Sequence, residues 1–147
     1  MTILLGADHA GYKLKEHLKT VLGRRGYPVK DLTPKLKAGD DYPIVAKKLA
    51  KHVAQSAKKK LPSFGVLVCG SGLGMDIAAN RTKGVRAVVV RNVKEAKLSR
   101  EHNQANVLVL GAWMTKPALA ERLLNTWLKT KPSDAARHLR RIKQLDR

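Results

Sequence analysis

The only cysteine of this 147-residue chain directly precedes three glycines that alternate with other residues. Cys69 ends a short apolar run, and the turn containing Gly70, Gly72 and Gly74 leads into a segment compatible with a helix. Glycine lets the backbone approach a ligand closely, and amide groups at a helix start favour negative charge. This setting is expected to lower the pKa of the thiol toward neutrality, which would make Cys69 a base or a nucleophile. An inert core cysteine is the alternative interpretation.

Four more polar residues, and one hydroxyl in the glycine turn, are candidates for contact with a ligand. Asp8 and His9 follow the first apolar run and could bind a sugar hydroxyl or a phosphate oxygen, although a helix cap beside an exposed histidine is an equal alternative. Ser71 could take part in chemistry or simply stabilise its turn. His102 and Asn103 lie in a strongly polar segment, which taken alone favours a helix C-terminus.

Arg137 and Arg141 stand four residues apart in the C-terminal segment and therefore share one face of a predicted helix. Paired guanidinium groups suit a phosphate monoester, whereas a solvated helix face is the more common explanation. One cysteine and scattered histidines and aspartates lack the spacing of metal ligands. The glycine turn does not match GxGxxG and no Walker lysine follows it. Metal, dinucleotide and nucleoside triphosphate sites are therefore disfavoured.

Five short apolar segments alternate with amphipathic ones along the chain, which predicts an α/β fold with an open parallel sheet covered by helices on both faces. The predicted strands are residues 2–5, 27–32, 66–68, 86–90 and 107–110. The predicted helices are residues 12–22, 42–60, 93–102 and 117–128, and one more helix begins after the glycine turn. A last helix is predicted to be capped by Ser133 and to run to residue 146. Lys13, Lys15 and Lys19 are expected off the apolar face of the first helix. Ligands of such sheets bind at the carboxyl ends of the strands.

The composition fits a single domain over residues 1–147, with a formal charge of +19 from 30 basic and 11 acidic residues. A signal peptide and a membrane span are not expected, and a single cysteine agrees with a reducing cytoplasm. The basic residues are spread along the whole chain, so a solvated cationic surface is the simplest explanation of the charge. Binding of polyanions or of phosphorylated substrates remains open.

Five blocks in order resemble the type B ribose-5-phosphate isomerase family, which includes galactose-6-phosphate isomerase subunits. The match extends over nearly the whole chain, and the blocks are residues 6–11 (GADHAG), 41–43 (DYP), 69–74 (CGSGLG) with 77–80 (IAAN), 99–103 (SREHN) with Asn106, and 137–138 (RH) with Arg141. The resemblance implies a three-layer α/β/α sandwich with a Rossmann-like five-stranded sheet in the order 2-1-3-5-4 and an extra C-terminal helix. It also implies a homodimer with its site between the subunits and the C-terminal arginines supplied by the partner. Whether dimers pair further is left open.

The family activity is metal-free aldose–ketose isomerisation through a cis-enediolate, without a cofactor. On this resemblance Cys69 moves a proton between C1 and C2, Ser71 assists proton exchange between the oxygens, and the amides of residues 70–74 hold the enediolate. His102, with Asp8, opens the furanose ring. The remaining residues bind substrate: Tyr42 and Asn103 contact sugar hydroxyls, and His9, Arg137 and Arg141 hold the phosphate.

The residues at two positions, Met75 and Trp113, are interpreted by comparison with the family pattern. Members without the cysteine use a glutamate at the position of Met75, so this chain is similar to the cysteine class. Many members carry a phosphate-binding arginine at the position that Trp113 occupies here. Its loss would weaken phosphate binding by roughly 1.5–3 kcal/mol, or Trp113 indicates another substrate.

The sequence therefore predicts an isomerase of D-ribose 5-phosphate and D-ribulose 5-phosphate, a step of the pentose phosphate pathway. An isomerase of another phosphosugar, such as allose, galactose or a tetrose phosphate, is one alternative. A basic nucleic-acid-binding module on the same scaffold is the other, and it is less favoured because the catalytic-type residues are all present.

Overall fold

A computed structural model describes residues 1–57 and 62–146 of the chain. Five strands alternate with six helices: β1 Ile3–Ala7, α1 Tyr12–Arg24, β2 Val29–Asp31, α2 Tyr42–Ser56, β3 Phe64–Cys69, α3 Leu73–Ala79, β4 Ala87–Val89, α4 Val93–Asn103, β5 Val107–Gly111, α5 Pro117–Lys129 and α6 Ala136–Leu145. The predicted extension of α2 through lysines 58–60 lies outside the described residues. Over the described part of the chain, no helix is both long and apolar enough to cross a membrane.

All neighbouring strands pair in parallel in the order β2-β1-β3-β5-β4, which confirms the predicted sheet and its order. Buried side chains of α1, α4 and α5 pack on one face of the sheet, and those of α2 and α3 pack on the other. Every residue of the central strands β1 and β5 is buried, and in β3 only the first residue, Phe64, is partly exposed, because both faces of the sheet are covered. The three-layer α/β/α arrangement is therefore confirmed as well.

Several boundaries differ from the sequence predictions. β1 continues through Gly6 and Ala7 because both residues still pair with β3. The C-terminal helix starts at Ala136, and Ser133 does not cap it; the backbone amide of Ser133 instead donates to the carbonyl of Glu101 in α4. This hydrogen bond fastens the segment before α6 to the end of α4.

One predicted surface lysine is buried. Lys15 is fully covered, and its ammonium group binds the carboxylates of Glu16 and Asp31 and the carbonyl of Thr33. The long side chain of lysine reaches a polar partner from an apolar face, which helical periodicity cannot foresee. The hydroxyl of Thr33 accepts a hydrogen bond from the amide of Ala7, so this cluster supports the backbone just before Asp8.

Candidate active site

Three central strands end side by side at one edge of the sheet. Ala7 at the end of β1 pairs with Val68 of β3, and Cys69 pairs with Gly111 at the end of β5. The next residue after β1 is Asp8, whose amide donates to the carbonyl of Val68 over 3.3 Å. Strand order reverses between β1 and β3, and ligands of open α/β sheets bind at such a point.

A small open cleft of about 240 Å³ lies at this edge. The residues around it are Asp8, His9, Ala10, Tyr42, Cys69, Gly70, Ser71, Gly74 and Trp113. The structure thus brings together the candidates that follow β1 and β3 with Tyr42, the predicted sugar contact at the start of α2. It also places Trp113, from the loop after β5, at the same cleft.

Cys69 occupies the floor of this arrangement and its side chain is almost fully buried. Its Sγ accepts a hydrogen bond from the amide of Gly72 over 3.2 Å. Gly72 has a φ of 84°, a conformation that favours glycine, and this turn of the backbone brings its amide back to the sulfur. The Gly72 amide is therefore directed at the thiol, where it stabilises the thiolate form.

The expected lowering of the Cys69 pKa is wrong. Burial raises the pKa of the thiol above its ordinary value, and the nearby carboxylate of Asp8 acts in the same direction. Hydrogen bonds from the amides of Gly72, Met75 and Ser71 lower it by less. The sequence indicated the glycine turn and its amides, but it could not show how deeply the sulfur is buried or which charge faces it.

Asp8 and His9 are both held by hydrogen bonds to neighbouring loops. The amide of Gly11 donates to Oδ1 of Asp8 over 2.9 Å, and burial raises the pKa of this carboxyl group. Asp40 accepts two hydrogen bonds from His9: one from its amide at 2.9 Å and one from Nδ1 at 3.0 Å. The carboxylate of Asp40 therefore fixes the orientation of the imidazole that borders the cleft.

Sequence reasoning missed Asp40, which lies in the segment between β2 and α2. Its loop follows β2, and β2 lies directly beside β1 in the predicted sheet order. The carboxyl ends of adjacent parallel strands meet at one edge, so an acidic residue after β2 and a histidine after β1 could have been paired. The length of the loop, from Leu32 to Asp41, hid that proximity.

Four of the predicted site residues lie elsewhere in the chain. His102 and Asn103 end α4, which leads into the beginning of β5, whereas the cleft lies at the end of β5. With five residues in β5, the two edges of the sheet are about 15 Å apart. Arg137 and Arg141 lie on α6, which packs against α4. A single chain therefore does not bring these four residues to Cys69.

The four residues instead belong to a second cluster at the opposite edge. The rings of His102 and His138 lie 4.3 Å apart between centroids and are tilted by 36°. Burial lowers the pKa of His138, and the charges of His102, Arg137 and Arg141 add to this effect. Arg137 and Arg141 are exposed, and neither forms an ion pair within the described residues. The cluster is a cationic surface suited to an anion.

The fold agrees with comparisons against known proteins. The Ribose/Galactose Isomerase family model matches residues 3–145. The chain belongs to the ribose/galactose isomerase family. It is 36% identical to ribose-5-phosphate isomerase B of Escherichia coli over 143 residues, which cover 97% of this chain and 93% of the relative. Ribose-5-phosphate isomerase B of Mycobacterium tuberculosis is also 36% identical over 143 residues, covering 97% and 86% of the two chains.

Solved structures show the same relationship within the ribose/galactose isomerase family. The ribose-5-phosphate isomerase B of Clostridium thermocellum superposes with a TM-score of 0.92 at 38% identity, covering 99% of this chain and 95% of that one. The enzyme of Mycoplasma genitalium, crystallised with bound ribulose 5-phosphate, superposes with a TM-score of 0.91 at 34% identity and covers 99% and 93%. These relatives favour the isomerase hypothesis over the nucleic-acid-binding one.

Two asparagines of the family blocks have structural contacts. Asn80 accepts from the amide of Ala87, and its side chain donates to the carbonyl of the same residue. Asn106 accepts from the amide of Arg86 and donates to the carbonyl of Gly84. Together they fix the segment that leads into β4. Across the described residues, no group of three or more histidine, cysteine, aspartate or glutamate side chains is arranged to hold a metal ion.

The raised pKa of Cys69 predicts how thiolate reactivity depends on pH. The thiolate fraction of a thiol whose pKa is above its ordinary value still rises beyond neutrality, so alkylation of Cys69 by iodoacetamide should accelerate into the alkaline range. Asp8→Asn removes a carboxylate that raises this pKa and should shift the curve to lower pH. Because Cys69 is the only cysteine, the labelling rate reports on this site alone.

Asp41→Asn serves as the matched control, since Asp41 is exposed and does not border the cleft. This variant should leave the labelling curve of Cys69 unchanged. A wild-type rate that reaches its plateau below neutral pH would show that the thiol pKa is lowered instead.

Proposed function

We propose that this protein interconverts D-ribose 5-phosphate and D-ribulose 5-phosphate through a cis-enediolate. The observation that carries the proposal is the position of Cys69: its sulfur is buried at the end of the central strand, borders the cleft and accepts the amide of Gly72. A base of this kind is needed to remove the hydrogen from C2 of an open-chain aldose. The names of the relatives support the same substrate.

In the proposed proton transfer, the Cys69 thiolate takes the C2 proton, the electron pair of that C–H bond forms the C1–C2 double bond, and the π pair of the C1 carbonyl moves onto O1 to give the enediolate. The thiol then returns the proton to C1, while Ser71 relays the hydroxyl proton from O2 to O1 or in reverse. Amides of residues 70–74 stabilise the charge that develops on the oxygens.

Ring opening and substrate binding use the remaining polar residues. We assign the proton transfers of ring opening to His102 with Asp8, and contacts with sugar hydroxyls to Tyr42 and Asn103. His9, held by Asp40, binds the phosphate. The phosphate also meets Arg137 and Arg141, whose exposed guanidinium groups offer forked donors.

This assignment requires a second copy of the chain. His102, Asn103, Arg137 and Arg141 lie at the opposite edge of the sheet from Cys69, so one chain cannot supply both halves of the site. In a two-fold dimer each chain presents its cleft to the α4–α6 cluster of its partner, which completes two equivalent sites.

Exposed apolar side chains beside each half support this dimer. Leu73 and Ile77 project from α3 next to the glycine turn, with 49% and 58% of their surface exposed. On α6, Leu139 and Leu145 are exposed beside the arginines. Apolar surface next to both halves is expected where the two faces pack together, because burial of that surface drives association.

The test is an assay of aldose–ketose isomerisation with a panel of phosphorylated sugars. We expect kcat/KM to be highest for D-ribose 5-phosphate, above the 6-phosphates of allose and galactose and above a tetrose phosphate. A higher value for one of the other sugars would move the proposal to that substrate. If no member of the panel is isomerised, the proposed function is wrong.

A further inference from the structure

Trp113 is an exposed aromatic residue whose position is fixed by the backbone of the cleft. Its amide donates to the carbonyl of Gly70 over 3.0 Å, and the amide of Ala112 donates to the carbonyl of Cys69 over 2.8 Å. The loop after β5 is thus tied to the same two residues that begin the glycine turn.

The indole also packs directly against the turn. A methyl group added at Gly70 would lie 2.5 Å from Cζ2 of Trp113, so the edge of the ring rests where another residue would have its side chain. The rest of the indole is uncovered: 76% of the surface of Trp113 is exposed, although the residue borders the cleft. An exposed aromatic surface at a concave site is typical of a ligand contact.

The chemistry of the indole indicates which part of a sugar phosphate it contacts. A tryptophan ring offers a broad apolar face and a single N–H donor, and it carries no positive charge for a phosphate. A sugar, by contrast, presents C–H groups along its carbon chain between its hydroxyls. The groups that suit the phosphate are His9 in the cleft and the arginines of α6.

We propose that Trp113 is a specificity-determining residue that packs against the carbon skeleton of the sugar and makes no contact with the phosphate. This inference rests on the proposed function for the class of ligand. It predicts that replacing the indole of Trp113 weakens the apolar contact with the sugar and leaves the binding of the phosphate unchanged.

The experiment measures binding of two probes, D-ribose 5-phosphate and inorganic phosphate, to Cys69→Ala protein, in which no turnover is expected during the titration. When Trp113→Ala is added to this background, the dissociation constant of ribose 5-phosphate should rise by about threefold to tenfold, the scale of one aromatic contact. Inorganic phosphate should bind with an unchanged dissociation constant. Trp113→Phe, which retains an aromatic face, should restore most of the affinity for the sugar.

Tryptophan fluorescence gives an independent readout, because the chain has two tryptophans and Trp127 is fully buried in the core. The emission of the free protein should include an exposed indole, and ribose 5-phosphate should change it in the presence of Trp113 but not in Trp113→Phe. Met114→Ala is the matched control: Met114 is the exposed neighbour, it does not border the cleft, and its replacement should alter neither dissociation constant.

Three results would overturn the inference. If Trp113→Ala weakens the binding of both probes equally, the indole contacts the phosphate. If it weakens the binding of neither, the indole does not contact the ligand. Emission typical of a buried indole in the free protein, unchanged by the sugar, would indicate that a second copy of the chain covers the ring. Failure of the proposed function is distinguished separately, since it appears as a lack of isomerisation by the wild-type protein.

Discussion

Replacing Cys69 by alanine is expected to lower kcat for the isomerisation of D-ribose 5-phosphate by at least 10²–10⁴-fold, the usual contribution of a positioned acid–base group. The sulfur is the group at the floor of the cleft that can take a proton from carbon and return it. KM should change little, because the substrate-binding side chains are untouched. The measurement is steady-state kinetics in both directions of the reaction.

The fold should survive this substitution. Alanine removes one sulfur atom from a buried position, and we expect a loss of only about 1 kcal/mol in the free energy of unfolding. Circular dichroism and thermal unfolding check this, and Cys69→Ser is the matched variant that keeps a hydrogen-bonding atom at the site. Full activity in Cys69→Ala would remove the proposed base.

The second large effect concerns the two halves of the site. Cys69→Ala and His102→Ala should each be nearly inactive alone, yet a mixture that has exchanged subunits should regain activity. A mixed dimer pairs the intact Cys69 of one chain with the intact His102 of the other, so one of its two sites is complete. Random pairing of equal amounts should restore about a quarter of the wild-type sites.

The control is a mixture of Cys69→Ala with Cys69→Ser, which contains no intact Cys69 and should remain inactive. Sedimentation of the separate variants should show dimers, so that a failure to assemble is not mistaken for a failure to complement. If Cys69→Ala and His102→Ala exchange subunits without any gain in activity, the division of the site between two chains is wrong.

The layout of the fold could be predicted from the sequence because the patterns that indicate it are local. Alternating apolar and amphipathic segments predict a parallel α/β sheet, and the strand order came only from the family resemblance. Boundaries that involve tertiary contacts could not be predicted: β1 pairs with β3 through Ala7, and the amide of Ser133 donates to Glu101 of α4 while α6 begins only at Ala136.

The site could be predicted from the sequence only in part, because much of it also depends on tertiary contacts. Residue types and their strand-end positions indicated Asp8, His9 and Cys69. The pKa of Cys69 depends on burial and on the carboxylate of Asp8, which are properties of the packed structure. Asp40 reaches His9 across a long loop, and Trp113 rests on the glycine turn, so neither contact is encoded in local spacing.

The central claim is that Cys69 transfers the proton between carbons, while His102 acts only in ring opening. D-Ribulose 5-phosphate tests it most directly, because its 5-hydroxyl is phosphorylated and the ketose therefore stays open-chain. In heavy water, proton NMR should show deuterium entering C1 of this ketose with the wild-type protein and with His102→Ala, and no entry with Cys69→Ala. Deuterium entering C1 at the wild-type rate in Cys69→Ala would contradict the account.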